Sequence, residues 1–337
     1  MPVKTINLAL QGGGSHGAFT WGALDRLLED ERIEIEAISG TSAGAMNAAV
    51  LANGMRVGGR KAAAAALEAF WRRMATIGRF GPFPRTPLDR LTAGWNLDSS
   101  PVYFTFDLLS RLFSPYQFNP FDWNPLRTVL AEQVDFAALR ARCHPKVFVC
   151  ATSVISGKIK VFGPDELSLD ACMASACLPF LYKAVEIDGD AFWDGGYSGN
   201  PAIFPLIYNA SARDIMLVQI NPIRRAEIPT TPNAIVDRLN EITFNAGLMK
   251  EMRAIEFVSR LLHENRVDES RYKRLHVHMV DGADDLYDLG HTSKLNADWD
   301  FLSYLHDLGH ANAGRWLDAH FDDLGRRTTI DLAAVFL

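Results

Sequence analysis

The strongest constraint on the fold lies in residues 6–74, where short apolar runs alternate with small-residue helical patterns across very short links. Residues 6–10 form a continuous apolar run that ends at Gln11 and Gly12-Gly13-Gly14. Residues 18–29 read as a helix and 34–38 as a second strand, which ends at Ser39-Gly40-Thr41. Residues 43–51 read as an alanine-rich helix stopped by Asn53-Gly54, and 62–74 as another helix. Strand, helix, strand, helix with such links predicts a mainly parallel α/β sheet, covered on both faces.

The 337 residues suffice for one large α/β unit, and 48% hydrophobic content can fill its core. A net charge of −6 gives no electrostatic case for nucleic acid as a partner. The first apolar run is too short for a signal peptide, and no stretch has the ~18 apolar residues of a membrane span. Cys143, Cys150, Cys172 and Cys177 lack zinc-ligand spacing and read as free thiols. The expectation is a cytoplasmic enzyme, at most peripheral to a membrane, of unspecified oligomeric state.

Strands are predicted again at 146–152 and 158–162, around a Ser156-Gly157 turn, and at 185–187 and 191–193, around Asp188-Gly189. Residues 215–220 and 275–280 complete the set. Between these last two, Ile235, Leu239, Ile242, Ala246 and Met249 recur at helical spacing, predicting one long amphipathic helix to residue 262.

Ser42 lies in Gly40-Thr41-Ser42-Ala43-Gly44, of the form G-x-S-x-G, where a predicted strand passes into a predicted helix. That is the setting of a nucleophile elbow, in which small neighbours permit a tight turn and the helix N-terminus favours negative charge. The competing reading is a serine that caps a buried helix. Residues 12–17 satisfy G-x-G-x-x-G, but Asp30 and Glu31 precede the second strand rather than end it, and no Gly-Lys-Ser/Thr follows. A nucleotide site is therefore disfavoured, and glycine-held amides facing a reaction oxyanion fit better. None of the nine histidines has a distinctive setting as base. Asp194 opens Asp194-Gly195-Gly196 directly after Phe192-Trp193, which suits either a catalytic carboxylate or an ordinary Asx turn.

These blocks, in this order, resemble the patatin-like phospholipases: the loop Gly12–Gly17, the Ser42 pentapeptide, the small-residue block 174–180, Asp194-Gly195-Gly196 and Asn200-Pro201. The resemblance covers about residues 5–220. It implies a three-layer α/β/α sandwich, and the chain reads as a single domain over 1–337 with a helical C-terminal extension at 225–337. It also implies a Ser–Asp dyad, with Ser42 as nucleophile, Asp194 as general base, and the amides of Gly12, Gly13 and Gly14 as the oxyanion hole. Gly40, Gly44, Gly195 and Gly196 support the motifs, and neither a metal nor an organic cofactor is expected. The family usually carries arginine or lysine where this chain has His16, which weakens any demand for a phosphate-bearing substrate.

Residues 77–126 are rich in aromatics and prolines and read as an insertion or lid. Phe80, Phe83, Trp95, Leu108, Leu109, Leu112, Phe113, Phe118, Phe121 and Trp123 would build either an acyl-chain wall or a second subcore. The expected activity is hydrolysis of lipid carboxylic esters, of the phospholipase A or lipase type, with transient contact to a membrane surface or lipid granule. A carboxylesterase or a polyhydroxyalkanoate-type depolymerase would use the same machinery. An inactive lipid-binding member of the fold is the non-enzymatic alternative.

Overall fold

Four strands carry the centre of the molecule: β1 (Lys4–Leu10), β2 (Ile33–Thr41), β3 (Lys146–Ser153) and β7 (Asp214–Gln219). Each is apolar along most of its length and buried on both faces, the signature of a parallel sheet between two layers. In the computed structural model, residues 3–79, 94–97, 100, 105, 112–142, 144–283, 285–287 and 289–337 are described. Their sheet has eight strands in the order β5 (Val185–Ile187), β6 (Asp190–Asp194), β3, β2, β1, β7 and β8 (His276–Asp281), with β4 (Ile159–Phe162) also paired to β3. The β1–β2, β2–β3, β1–β7 and β7–β8 pairings are parallel. β4, β5 and β6 add antiparallel hairpins, and β8 closes the opposite edge.

Because successive side chains on a strand point to opposite faces, each strand feeds two cores. Ile6, Leu8, Leu10, Met216, Val218 and Ile220 join one hydrophobic cluster, while Ala9, Ile215 and Leu217 join another. The first cluster packs under α1 (Gly17–Glu29), α2 (Ala43–Arg79), α3 (Pro125–Gln133), α5 (Leu169–Ser175) and α8 (Trp299–His320). The second packs under α6 (Phe204–Asn209), α7 (Pro232–His263) and α9 (Leu332–Phe336), while α4 (Phe136–Ala141) follows α3 on the first side. The architecture is thus the expected three-layer α/β/α sandwich. Phe19 is fully buried in the first core, a burial that contributes about 2–3 kcal/mol.

Two helix expectations change. The predicted stop at Asn53-Gly54 does not occur: α2 runs through it and breaks instead at Gly58 and Gly59, whose backbone is non-helical. Gly54 is the point where the two limbs cross, since a Cβ there would collide with the backbone of Ala63. In α7 the face chosen by periodicity is wrong over its first half, because Ile235, Leu239 and Ile242 are exposed while Glu241 and Asn245 are buried. Buried Glu241 is ion-paired with Arg225 and Arg238, and Asn245 joins a polar network below the glycine loop.

α1 and α8 meet main chain to main chain. A Cβ on Gly22 would collide with the carbonyl of His306, and one on Gly309 with the carbonyl of Phe19.

Of the aromatic stretch, Phe80, Phe83, Leu108 and Leu109 lie outside the described residues. The remainder divides between both readings. Trp95 stacks on Phe301 and Tyr304 at 5.1 and 5.7 Å, whereas Phe121 and Trp123 are exposed. Cys150, Cys172 and Cys177 are free and buried, and Cys143 lies outside the described residues. No described helix is long and apolar enough to cross a membrane.

Candidate active site

Strand register brings the separated motifs to one edge of the sheet. Leu10 pairs with Gly40, so the glycine loop and the Ser42 turn leave adjacent parallel strands side by side. Thr41 pairs with Cys150, and the next residue of β3, Ala151, pairs with Asp194 at the end of β6.

Ser42 has φ of +52°, unusual for a residue with a side chain, and sits between the end of β2 and the start of α2. This is the strained strand-to-helix turn that the pentapeptide predicts. Gly44 permits it, because a Cβ there would strike the carbonyl of Leu10. The Ser42 N–H donates to Ser175 Oγ at 2.9 Å. The Asp194 N–H donates to the carbonyl of Cys177 at 2.8 Å. The block 174–180 therefore holds the main chain of both residues, a role not legible in its composition.

Asp194 is fully buried. Its Oδ1 accepts from the Gly196 N–H at 2.7 Å, while Oδ2 has no hydrogen bond of standard geometry among the described residues. Burial raises its pKa to about 7, even though the Gly196 N–H, the Ser42 hydroxyl and the Lys294 charge each favour the carboxylate. The Asx turn that the sequence offers as an alternative is present, but it uses only one carboxylate oxygen. Gly195 and Gly196 are tightly enclosed, by the carbonyl of Cys150 and the ring of Phe244 respectively.

The glycine loop is clamped from below. Gln11 Oε1 accepts from the N–H groups of Ile220 and Asn221 at 2.9 and 3.0 Å. Asn221 Nδ2 donates to the Gly12 carbonyl at 2.8 Å. Asn200 takes the Gly12 N–H on its Oδ1 at 2.6 Å and returns Nδ2 to the Gly12 carbonyl at 3.3 Å. This corrects one expectation: the Gly12 amide is spent on Asn200 and has no proton left for an oxyanion. The N–H groups of Gly13 and Gly14 have no partner among the described residues. Gly14 borders the cavity that contains Ser42.

His16 does not replace a basic side chain. The ring is buried, with Nε2 2.7 Å from Ser293 Oγ. Burial, then the Lys294 charge, holds its pKa well below the ordinary imidazole range, so it is neutral near pH 7. No histidine lines the Ser42 cavity among the described residues. His276 and His278 instead flank Asp214 at the amino end of β7, the edge remote from Ser42.

The cavity over Ser42 has a volume of about 240 Å³ and is predominantly apolar. Met46, Phe70, Met74, Leu178, Leu181 and Leu302 contribute to its wall. Lys294, from the C-terminal part of the chain, is a cation on this wall that sequence reasoning missed.

The patatin-like phospholipase family model matches residues 8–207. No match was found among curated proteins. Among solved structures, VipD from Legionella pneumophila is similar at 18% identity with a TM-score of 0.43, over 95% of this chain and 67% of that one. The ExoU–SpcU complex from the type III secretion system of Pseudomonas aeruginosa is similar at 17% identity with a TM-score of 0.32, over 99% of this chain and 74% of that one. Both TM-scores are below 0.5, so the assignment rests on the sequence match, which spans more than half of the chain and contains every motif described above. The chain belongs to the patatin-like phospholipase family.

Proposed function

We propose that this protein is a serine lipid acyl hydrolase acting through a Ser42–Asp194 dyad. The observation that carries the reading is the fully buried Asp194 carboxylate, one oxygen of which lacks a fixed partner beside the Ser42 hydroxyl. A buried carboxylate with one oxygen left without a hydrogen bond costs stability and persists where it is used. In this reading Ser42 Oγ attacks the ester carbonyl as Asp194 takes its proton. The Gly13 and Gly14 N–H groups stabilise the oxyanion, each such donor being worth about 3–4 kcal/mol. The proton then passes from Asp194 to the departing alcohol. Water activated by Asp194 hydrolyses the acyl-enzyme and frees Ser42. A pKa of about 7 gives Asp194 a basicity matched to neutral pH, which an ordinary aspartate lacks. The apolar wall suits an acyl chain.

The test is a panel of short esters, triacylglycerol, phospholipid and hydroxyalkanoate polyester. Ser42→Ala and Asp194→Asn should abolish turnover of every member that the wild type cleaves, and Ser42 should react with a fluorophosphonate. No single substitution among the histidines remote from the site should do so. Turnover retained in Asp194→Asn would remove the dyad. The preferred member of the panel assigns the head group, and contact with a membrane or granule surface is then read by sedimentation with that lipid.

A further inference from the structure

The glycine loop carries no charge of its own, since His16 is neutral and turned towards Ser293. Among the described residues that line the Ser42 cavity, the one lysine or arginine comes from the C-terminal part of the chain. Lys294 lies in a short 3-10 turn, His291–Leu295, that packs against the loop, and a Cβ on Gly14 would collide with the Lys294 carbonyl. Its Nζ donates to Asn221 Oδ1 at 2.8 Å, and Asn221 Nδ2 in turn holds the Gly12 carbonyl. The same Nζ stands 5.8 Å from the centre of the Phe244 ring, which covers Gly196 in the Asp194 turn. The ammonium thus bridges the loop and the carboxylate turn and borders the Ser42 cavity.

We propose that Lys294 is the positioning cation of this site: fixed by Asn221, its charge compensates the buried Asp194 carboxylate so that it can accept the Ser42 proton. The inference rests on the Ser42–Asp194 reading. A half-buried ammonium is costly to hold without compensation, and this one borders the cavity that contains Ser42.

The other groups around the pair do not substitute for it. Against Asp194, Cys177 and Tyr197 are pushed up to about 12, mainly by burial, and stay neutral. The Ser42 hydroxyl and the Gly196 N–H contribute dipoles, not charge. Burial lowers the pKa of Lys294, while Glu241 and Asp237 on α7, and Asp194 itself, favour its charged form. Arg225 opposes them but is engaged by Glu241.

Lys294→Gln can retain a hydrogen bond to Asn221 without the charge, and Lys294→Arg retains the charge. The readouts are kcat/KM for a neutral short-chain ester from pH 5 to 9, and the pH dependence of fluorophosphonate labelling at Ser42. Both probes lack an anionic group for Lys294 to bind. Lys294→Gln should shift the acid limb of both profiles upward by ~1 pH unit, leaving KM unchanged and most of the rate recovered at pH 9. Lys294→Arg should return the limb to within ~0.3 unit of wild type. A superimposable Lys294→Gln profile, a loss equal at all pH values, or an effect confined to KM would overturn the proposal. If Lys294→Gln does not fold, an unshifted limb in Lys294→Arg supports the proposal and a shifted one overturns it. Activity retained in Ser42→Ala would instead defeat the acyl-transfer reading itself. Loss in Ser42→Ala with no shift in the Lys294 variants defeats only the role of Lys294.

Discussion

Gly12 faces Ser42 so closely that a methyl group built on it would lie 2.7 Å from the Ser42 Cβ and 2.7 Å from the Thr41 carbonyl oxygen. The loop and the Ser42 turn are therefore one packed unit, and the glycine is required by distance. Gly12→Ala must push the loop away from Ser42. Ester turnover should fall about 100-fold or more, the scale of losing one oxyanion donor. The check is kcat on a short ester beside a melting curve that establishes folding. Near-wild-type turnover would mean that the loop amides do not serve the reaction.

Asp194 makes the site a source of instability. The unfolded chain releases the Asp194 proton near ~4, whereas the folded protein releases it at about 7. The folded state therefore binds the proton more tightly, and this group's contribution falls as pH rises from ~4 to ~7. Asp194→Asn cannot ionise. Its melting temperature should match wild type near pH 4.5 and exceed it by the order of 5 °C at pH 8. A gain independent of pH would contradict the assigned shift.

Much of this arrangement was legible in the sequence, and what was missed shares a cause. β1, β2 and the turns at Ser42 and Asp194 are written in contiguous residues: apolar runs, glycines at tight approaches, and a carboxylate leaving a strand. The partners of those residues are not local. Ser175, Asn200, Asn221 and Lys294 reach the site only through strand order and helix packing. Nothing adjacent to Gly12 reveals that its amide is committed to Asn200. Periodicity failed in the first half of α7 for a related reason, since buried Glu241 and Asn245 answer to partners elsewhere in the chain.

The cavity gives a prediction about chain length. Met74 and Leu181 line the cavity that contains Ser42. Met74→Trp would fill part of the ~240 Å³ while leaving Ser42 and Asp194 in place. Activity on long-chain esters should drop roughly tenfold relative to short ones, the discrimination a few methylenes allow. An equal loss on both would mark the wall as packing alone.

At the opposite edge of the sheet, Asp214 accepts from His278 Nε2 at 2.9 Å and from the Gly325 N–H at 2.8 Å, with His276 Nδ1 3.4 Å away. Burial alone would raise its pKa, but His276, His278 and the Gly325 amide outweigh burial and hold it well below the usual carboxylate range. A depressed carboxylate stabilises above its unfolded pKa of ~3.9, and that support is lost as pH falls through the folded value. Asp214→Asn should cost about 3 kcal/mol at pH 7, with the gap closing below ~pH 3. Denaturant melts at the two pH values measure it. Below its melting point the variant should keep wild-type kcat, because Asp214 lies away from Ser42.

The close approach of Gly22 to the His306 carbonyl and of Gly309 to the Phe19 carbonyl has a further consequence. Two backbones in direct contact leave no slack, so even one added methyl at either position must wedge α1 and α8 apart. The first helix carries the glycine loop at its leading end, and a wedge there tilts the loop out of alignment with the serine. A lesion far from any substrate would then read as a failure of chemistry. α8 lies beyond residue 207, where the family match stops, yet its packing on α1 bears on the placement of the glycine loop.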